Sequence, residues 1–492
     1  MTVTQAIPAT LRRYGVYIDG TMSAPGGDIM CRKNPGTGEA VAEFVRSDEA
    51  TVKVAVASAR SQFDSGLWPT TSGQYRAGIL LRLAGLMRRD KEFLSRIEAE
   101  EVGKPIRLAR GDVEGSIGLT EYAAALALTS HGDAHTNLGD GFMGLVTREP
   151  CGVVAMVTPW NFPLLQLMQK LPFALAAGCT TVCKPSELTA GSTLEIARLL
   201  TEAGLPDGVF NVVTGPGGVV GDYLARSPEV DFLSFTGSTA VGRSIVEASA
   251  GNLKRVSMEL GGKAASIVFP DADLEKAATG VLFAVTFNQG ECCVSGARLL
   301  VHEDIADDFI AVLVRKMAEL KVGLPLDESA DLGSMIHENH LDQVLGFVSE
   351  ARSAGAHVVA GGDRLTDGEL SEGFFMAPTI VDRVTSDSAL FREEVFGPVL
   401  AITRFSSTDE AVQLANSVDY GLANSVWSLN IDTALSVSRR LKSGTVWVNT
   451  TVDGAPQLPG GGVKQSGYGR EMGQAGFDEF SELKTIQIRT SS

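Results

Sequence analysis

Short apolar runs and longer amphipathic stretches alternate along most of the chain, a pattern typical of an α/β fold with largely parallel sheets. The run CGVVAMVTPWNFP, residues 151–163, predicts a strand that ends in a proline-bounded loop. The next segments predict a helix over LMQKLPFALAAG, a strand over TTVCKPSELT and a helix over about residues 192–203. Because ligands of open α/β sheets bind at the carboxyl ends of strands, residues 159–163 are expected at a binding site.

A second strand-to-helix unit follows a strand predicted over GVFNVVTG. Residues 230–249, VDFLSFTGSTAVGRSIVEAS, predict a strand, a glycine turn and a helix whose amino end favours a phosphate. Gly237 and Gly242 are spaced G-x4-G, unlike the common dinucleotide fingerprint, so a tight turn with a helix packing contact is an equal alternative. Lys184 and Glu187 follow a strand, where they would bind ribose hydroxyls or form an exposed charge pair.

Composition narrows the class of protein. A chain of 492 residues exceeds one hydrophobic core, so two or three domains are expected. The net charge of -17 argues against nucleic acid or an anionic membrane as the main partner. The first twenty residues lack a signal-peptide core and no long apolar run occurs, so a cytoplasmic protein is expected. Six irregularly spaced cysteines predict reduced thiols.

Adjacent cysteines in FNQGECCVSGAR are the strongest candidates for a nucleophile, because no G-x-S-x-G motif is present. The alternative is that Cys292 and Cys293 are two small buried hydrophobic residues. Glu259 lies in an apolar strand-like run, where burial would raise its pKa into the range of a general base; a surface glutamate is the competing interpretation. Cys179 and Cys183 are interpreted as core residues, and His337 and His340 as a solvated helix face rather than a metal site.

Eight ordered motifs together resemble the NAD(P)-dependent aldehyde dehydrogenase superfamily, in its hydrolytic type that does not acylate coenzyme A. The similarity extends from about Gly15 to the C-terminus. The motifs are EVGKP (101–105), TPWNFP (158–163), KPSE (184–187), FTGSTAVG (235–242), MELGGK (258–263), NQGECC (288–293), EEVFGPV (393–399) and GGVKQSGYGRE (461–471).

This resemblance implies a catalytic mechanism. Cys293 is the expected nucleophile, and the oxyanion of its thiohemiacetal would be held by the Asn161 side-chain amide and the Cys293 backbone N–H. Hydride transfer to the nicotinamide would leave a thioester, which a water activated by Glu259 would hydrolyse. The presence of Glu259 argues against the relatives that pass the acyl group to coenzyme A.

The resemblance also implies a cofactor site and no metal. NAD is expected because the Glu187 carboxylate would repel a 2′-phosphate, with NADP as the alternative. The expected cofactor-binding residues are Trp160, Lys184, Glu187, Gly237, Ser238, Gly242, Leu260, Glu394 and Phe396.

The predicted substrate tunnel departs from the family pattern. PGGG stands where many members have PFGG, which suggests a wider and more polar tunnel, and the absence of an arginine beside Cys293 disfavours a carboxylate-bearing substrate. Asp112, Glu114 and Asp453 fall in segments that border the entrance in this family, so an aminoaldehyde or betaine aldehyde is expected. Bulky neutral or aromatic aldehydes are the alternative. The expected tunnel residues are Phe162, Gln166, Gln169, Cys292, Val294, Asp453, Gly454 and Gly460.

By resemblance the fold has three parts. A Rossmann-like NAD-binding domain is expected over residues 1–127 and 150–260, a catalytic α/β domain over 261–475, and oligomerisation strands over 128–149 and 476–492. The alternating patterns in TNLGDGFMGLVTREP and ELKTIQIRT match such strands and imply a homodimer or homotetramer. Two other classes stay open: a non-catalytic structural protein of this fold, and a cofactor-independent thiol esterase or acyltransferase that uses Cys293.

Overall fold

The computed structural model describes residues 11–490 of the chain. Residues 1–10, on which part of the signal-peptide prediction falls, and residues 491–492, assigned to the last oligomerisation strand, lie outside that range. Within the described range the strands form six sheets: one of eight strands, one of seven, two of three and two of two. The two large sheets confirm the α/β fold class that the sequence predicts.

The eight-stranded sheet has five parallel strands at its centre and antiparallel strands at its two edges. The central strands are continuous β-branched and apolar runs, as expected for strands covered on both faces. Four neighbouring strands end side by side, at Glu259, Thr236, Val157 and Lys184. In spatial order the strands are Gly467–Tyr468, Arg255–Glu259, Phe232–Thr236, Val153–Val157, Thr180–Lys184, Phe210–Val212, Tyr17–Ile18 and Thr21–Met22.

Helices cover both faces of this sheet. Aspartate or serine at position 48, 72 or 238 accepts a backbone N–H and so begins the helix that follows it. Large apolar side chains such as Trp68, Phe173, Phe210 and Phe232 fill the core beneath them. The helices are Glu49–Asp64, Gly73–Arg89, Lys91–Val102, Ile106–Thr129, Pro163–Met168, Leu171–Ala177, Gly191–Glu202, Asp222–Arg226 and Thr239–Ser249, with shorter turns at Gly217–Gly221 and Ala250–Asn252.

The seven-stranded sheet is parallel except for its first strand. In spatial order it contains His357–Ala360, Thr379–Asp382, Val399–Phe405, Arg298–His302, Ala265–Val268, Ala423–Trp427 and Thr445–Val448. Its helices are Leu274–Thr286, Ala306–Met317, Glu338–Ser353, Ala389–Arg392, Thr408–Asn416 and Ile431–Arg440, and shorter turns lie at Phe287–Gly290, Glu303–Ile305 and Gly368–Leu370.

A three-stranded antiparallel sheet, here called the arm sheet, joins two distant parts of the chain. It consists of Asp133–His135, Phe142–Pro150 and Ser481–Arg489, and the last two strands pair along nine residues each. The helix Gly473–Asp478 leads into its final strand. The remaining small sheets are Arg12–Tyr14 with Ala40–Val45 and Ile29–Lys33, Arg364–Leu365 with Phe375–Met376, and Tyr420–Gly421 with Val463–Lys464.

The predicted elements differ from the observed ones mainly at their ends. The single helix predicted over LMQKLPFALAAG is instead two short helices, separated at Gln169 and Lys170 because Pro172 begins the second one. The strand predicted over residues 136–150 begins only at Phe142. Within residues 11–490, no helix has both the length and the apolar character needed to cross a bilayer, and no group of three or more His, Cys, Asp or Glu is placed to hold a metal ion.

Candidate active site

A cavity of about 250 Å³ lies at the carboxyl ends of the parallel strands of the eight-stranded sheet. This is the edge of the sheet at which the sequence predicts a binding site. Of the residues predicted from the sequence, those that line the cavity are Trp160, Asn161, Gln166, Gly237, Ser238, Leu260, Cys293, Glu394 and Phe396. Pro159, Thr236 and Gly261 also line it but were not predicted individually, although each lies inside a quoted motif.

The cysteine loop is held in an unusual backbone conformation. After the helix Leu274–Thr286, Asn288 and Gln289 adopt left-handed φ angles of 51° and 56°, and Gly290 follows at 73°. A Cβ atom at Gly290 would lie 2.2 Å from the carbonyl carbon of Gly397, so only glycine fits. The Asn288 amide donates to the carbonyl oxygens of Asn161 and Glu291, at 3.1 and 3.0 Å. These bonds offset the backbone strain and fix the loop beside Asn161.

The two adjacent cysteines have different surroundings. Cys293 is partly exposed and lines the cavity, whereas Cys292 is only 5% exposed. The pKa of the Cys293 thiol is raised well above its ordinary value by a hydrogen bond with Cys292, by burial, and by the charges of Glu394 and Glu259. The thiol is therefore protonated at rest, and a base must remove its proton before it can attack a carbonyl carbon.

Glu259, at the end of its strand, is a candidate base whose charge acts on the Cys293 thiol. Burial and the charge of Glu471 raise the pKa of Glu259 to about 8, while Lys170 opposes the shift. Its Oε1 atom is shielded from solvent and has no hydrogen-bond partner within the described residues. A carboxylate with this pKa exchanges protons near neutral pH, as a general base must.

A buried polar network lies beside Glu259 and was not predicted from the sequence. Lys170 is fully buried and donates to Glu471 Oε1 and, at 2.7 Å, to Thr236 Oγ1. Glu471 in turn exchanges two backbone hydrogen bonds with Gly460, at 2.8 and 2.9 Å. The network explains why the predicted tunnel residue Gly460 matters structurally: its backbone positions the acid that raises the pKa of Glu259.

Asn161 and the Cys293 backbone provide donors for an oxyanion. One N–H of the buried Asn161 amide donates to the Glu291 carbonyl oxygen at 3.0 Å, which leaves its second N–H for the cavity. Among residues 11–490, the Cys293 N–H has no hydrogen-bond partner. Both donors are therefore free to stabilise negative charge that develops on a substrate oxygen.

The two glycines of ELGGK allow three parts of the site to meet. A Cβ atom at Gly261 would lie 2.3 Å from a carboxylate oxygen of Glu394, and one at Gly262 would lie 2.2 Å from the Cys293 carbonyl oxygen. The Gly262 N–H donates to Glu394 Oε1 at 2.9 Å. Burial raises the pKa of Glu394 to about 7, against the opposing effects of this bond and of Lys263.

The residues around the cavity fit a dinucleotide cofactor. Ser238 caps the helix Thr239–Ser249, whose amino end faces the cavity and favours a pyrophosphate. Burial would raise the pKa of Glu187, but Lys184, whose Nζ lies 3.0 Å from Glu187 Oε2, holds it below its ordinary value. The resulting carboxylate can accept hydrogen bonds from ribose hydroxyls.

The side chain of His340 is only 12% exposed, so the interpretation of His337 and His340 as a solvated helix face is wrong for His340. Its Nε2 lies 2.8 Å from the Phe396 carbonyl oxygen, and its ring makes edge contacts with Trp160 and Phe396 at 5.8 and 6.0 Å. Burial lowers the pKa of His340, so the neutral ring donates this hydrogen bond. His340 therefore positions Phe396, which has a left-handed φ of 56°. His337 instead caps its helix.

Three predicted site residues serve packing in this structure. Gly242 approaches Leu260 so closely that a Cβ atom would lie 2.6 Å from Leu260 Cδ2, which agrees with the helix packing alternative. Phe162 is buried, with Lys104 Nζ 4.1 Å from its ring centre and Phe287 stacked at 5.5 Å. Both contacts reduce the area of the ring that a substrate can touch. Cys292 supports Cys293 from below the cavity surface.

The remaining tunnel residues lie away from the cavity lining. Gln169 and Val294 are partly exposed, and Asp453 and Gly454 are exposed. Nothing lies within 4 Å of a Cβ atom built at Gly454, so the loop there leaves open space. The loop is near the helix Ile106–Thr129, because Pro456 is 3.9 Å from a Cβ built at Gly118.

The three acids expected at the tunnel entrance have different roles. Asp112 is buried and pairs with Lys104 at 2.6 Å, and Glu114 pairs with Lys91 at 2.7 Å. The expectation that these two acids attract a substrate cation is therefore wrong, because each already has a cationic partner. Asp453 makes no ion pair with another described residue; its carboxylate accepts the Thr450 hydroxyl at 3.3 Å, and its backbone oxygen accepts Trp447 Nε1–H at 2.6 Å.

Comparison with known proteins agrees with the site. The chain belongs to the aldehyde dehydrogenase family, whose model matches residues 23–486. It is 41% identical to betaine aldehyde dehydrogenase from Bacillus subtilis, over 96% of this chain and 97% of that protein. It is 39% identical to aminoaldehyde dehydrogenase 2, peroxisomal, from Pisum sativum, over 98% and 96%. The crystal structure of an NAD-dependent aldehyde dehydrogenase from Sinorhizobium meliloti matches with a TM-score of 0.95 and 45% identity, over 97% and 95%.

The roles of the two cysteines are testable by substitution. We expect Cys293→Ala to reduce NADH formation at least about a thousandfold, because the nucleophile is lost. The matched variant Cys292→Ala should keep turnover and change mainly the relative rates with different aldehydes. Steady-state oxidation by both purified variants is the measurement. An active Cys293→Ala protein beside an inactive Cys292→Ala protein would show that the nucleophile is misassigned.

Glu259 should control the pH dependence of turnover. Its raised pKa keeps the carboxyl group protonated below about pH 8, so kcat should rise as the pH increases through that value. Glu259→Gln should lose this rise, slow the burst of NADH that marks acyl-enzyme formation, and lower the steady-state turnover that follows by at least about 100-fold. The test is stopped-flow NADH fluorescence across the pH range. Wild-type steady-state turnover in Glu259→Gln would exclude Glu259 as the base.

Proposed function

We propose that this enzyme oxidises cationic aldehydes of the aminoaldehyde or betaine aldehyde type to the corresponding acids, with NAD as the cofactor. The observation that carries the oxidation is that Cys293 lines one cavity with Asn161 and Glu394, beside the base Glu259. The names of the relatives support the substrate class, since they describe betaine aldehyde and aminoaldehyde dehydrogenases.

The first half of the reaction depends on Cys293. Glu259 takes the thiol proton, and the sulfur attacks the aldehyde carbon to give a thiohemiacetal. Asn161 Nδ2 and the Cys293 N–H stabilise its oxyanion. Bound NAD would supply the acceptor for the hydride that leaves the carbon. Glu394, Trp160 and Phe396, which line the cavity with Cys293, would hold the nicotinamide side of the cofactor.

The second half of the reaction depends on Glu259. The thioester on Cys293 is hydrolysed when Glu259 removes a proton from water, and the acid product leaves. Burial and the charge of Glu471, opposed by Lys170, raise the pKa of Glu259 to about 8, so the base is regenerated by proton exchange near neutral pH. Hydrolysis, rather than transfer to a thiol acceptor, is the outcome that this arrangement supports.

Charge favours a cationic substrate. Asp453 is exposed and makes no ion pair within the described residues, so its carboxylate remains available to an ammonium group. The chain also carries a net charge of -17, which raises the local concentration of cations. The open space at Gly454 favours the second candidate, a bulky neutral or aromatic aldehyde, because no side chain limits the size of the substrate there.

Two functions of other classes make different predictions. A structural protein of this fold would not bind NAD, and a cofactor-independent thiol esterase would turn over esters faster than it forms NADH. Calorimetric titration with NAD, and hydrolysis of p-nitrophenyl acetate compared with aldehyde oxidation, separate both from the proposal. The site favours neither alternative. A structural protein does not need the nucleophile Cys293 or the base Glu259, and a cofactor-independent esterase does not need the residues that fit the cofactor.

The substrate class can be measured directly. We expect betaine aldehyde and 4-aminobutyraldehyde to have higher kcat/KM with NAD than hexanal, benzaldehyde and succinic semialdehyde, and NADP to be the poorer cofactor. Asp453→Asn should lower kcat/KM for the cationic aldehydes by about two- to fivefold, as for an exposed charge, and leave hexanal unchanged. Higher kcat/KM for hexanal or benzaldehyde would instead support the neutral alternative.

We also propose a homodimer or homotetramer in the cytoplasm. Exposed apolar residues on the helix Thr239–Ser249 and after it, Val241, Val246 and Leu253, and on the arm sheet, Leu483 and Ile486, favour association. Light scattering after size exclusion should give two or four times the chain mass, and Ile486→Lys should lower it. A monomer at micromolar concentration would contradict the assembly. Cell fractionation tests the location.

A further inference from the structure

One polar atom in the active-site cavity lacks a partner. Gln166 lines the same cavity as Cys293 and Asn161, and its Oε1 atom is shielded from solvent. Within residues 11–490, no group donates a hydrogen bond to this oxygen. The catalytic steps described above do not use Gln166, so its amide remains to be explained.

The position of Gln166 is fixed by its backbone. It lies in the short helix Pro163–Met168, directly after the oxyanion residue Asn161 and Phe162. Its N–H donates to the Phe162 carbonyl oxygen at 2.9 Å, which closes the first turn of the helix. The backbone of Gln166 therefore belongs to the same turn as Asn161, and its side chain extends from that turn to the cavity wall.

A buried carbonyl oxygen without a donor is unfavourable. An aldehyde that carries an N–H or O–H near this point supplies the donor. An aldehyde that is fully alkylated there leaves the oxygen unpaired, and sites of this kind discriminate strongly against such analogues.

We propose that Gln166 Oε1 accepts a hydrogen bond from the ammonium N–H of the substrate, and that the enzyme therefore prefers primary or secondary aminoaldehydes to trimethylammonium aldehydes. This inference rests on the proposed function and narrows its substrate class. Betaine aldehyde has the charge that Asp453 favours but no N–H to donate. The positive charge and the hydrogen-bond donor are separate properties of the substrate. Asp453 interacts with the charge, and Gln166 accepts the hydrogen bond.

The chain contains a matched control for this role. Gln169 has the same side chain and lies three residues further on, but its amide has no buried unpartnered atom and does not line the cavity. Methionine has nearly the length and volume of glutamine and no comparable acceptor. Gln166→Met and Gln169→Met therefore make the same chemical change at two places, only one of which faces the substrate.

The experiment uses four propanals that differ only in the substituent at C3, so that charge and donor vary independently. They are 3-aminopropanal, which is protonated at neutral pH, 3-(trimethylammonio)propanal, 3-hydroxypropanal and butanal. We expect the wild-type enzyme at saturating NAD to favour 3-aminopropanal over its trimethyl analogue, and 3-hydroxypropanal over butanal, by about tenfold or more in kcat/KM. Gln166→Met should lose both preferences, mainly through KM, and Gln169→Met should keep both.

Several results would overturn the inference. Equal wild-type values within both pairs, or preferences that survive in Gln166→Met, exclude the hydrogen bond; the wild-type comparison decides even if the variant does not fold. Faster oxidation of 3-methoxypropanal than of 3-hydroxypropanal would mean that the amide presents its NH2 group instead. A weaker NAD affinity in Gln166→Met with unchanged aldehyde preferences would assign Gln166 to the cofactor.

The two proposals fail separately. If both cations exceed both neutral aldehydes but do not differ from each other, the cationic class stands and the role of Gln166 is excluded. If butanal and 3-hydroxypropanal exceed the cations, the cationic class is excluded. The comparison of 3-hydroxypropanal with butanal then still tests the hydrogen bond to Gln166, because neither aldehyde is charged.

Discussion

The active site depends on a backbone contact that leaves no room for a side chain. Gly262 lies so close to the Cys293 carbonyl oxygen that a Cβ atom would be 2.2 Å away, and Gly290 has a similar approach to Gly397. The first contact joins the carboxyl ends of the eight-stranded sheet to the loop that bears the nucleophile, and the second joins that loop to the segment before the strand Val399–Phe405 of the seven-stranded sheet. Any larger residue would separate Cys293 from Asn161 and Glu259, which belong to a different part of the chain. The relative positions of the catalytic groups therefore depend on close packing between backbone segments.

Burial of acids gives the site its electrostatic character. Glu259 and Glu394 both have raised pKa values, because both carboxyl groups are removed from water. The pKa of the Cys293 thiol is raised for related reasons, so the thiol must lose its proton before the sulfur can attack. Lys170 and Glu471 form a compensated pair whose charges partly cancel at Glu259. The cavity holds a cofactor and an aldehyde without a strongly negative wall, despite the acidity of the chain.

Sequence reasoning succeeded where a motif stands at the end of a strand. TPWNFP, FTGSTAVG and MELGGK all follow parallel strands whose order in the sheet brings them together, so their residues reach one cavity. It failed where contacts join distant segments. His340 and Phe396, and Lys170 and Glu471, meet only through the tertiary fold, and their local patterns resemble ordinary helix or loop. Asp112 was expected at the tunnel entrance, but it is buried and pairs with Lys104, which lies just before the same helix.

The surroundings of Phe162 bear on how ammonium groups are recognised. Its ring already receives the positive charge of Lys104 and the stacked ring of Phe287, so the enzyme's own lysine occupies the position that a substrate cation would take on an aromatic face. Lys104, which is held in place by its ion pair with Asp112, thereby competes with a substrate cation for the ring of Phe162. Any affinity of this enzyme for quaternary ammonium must therefore come from elsewhere than an aromatic cage built on this ring.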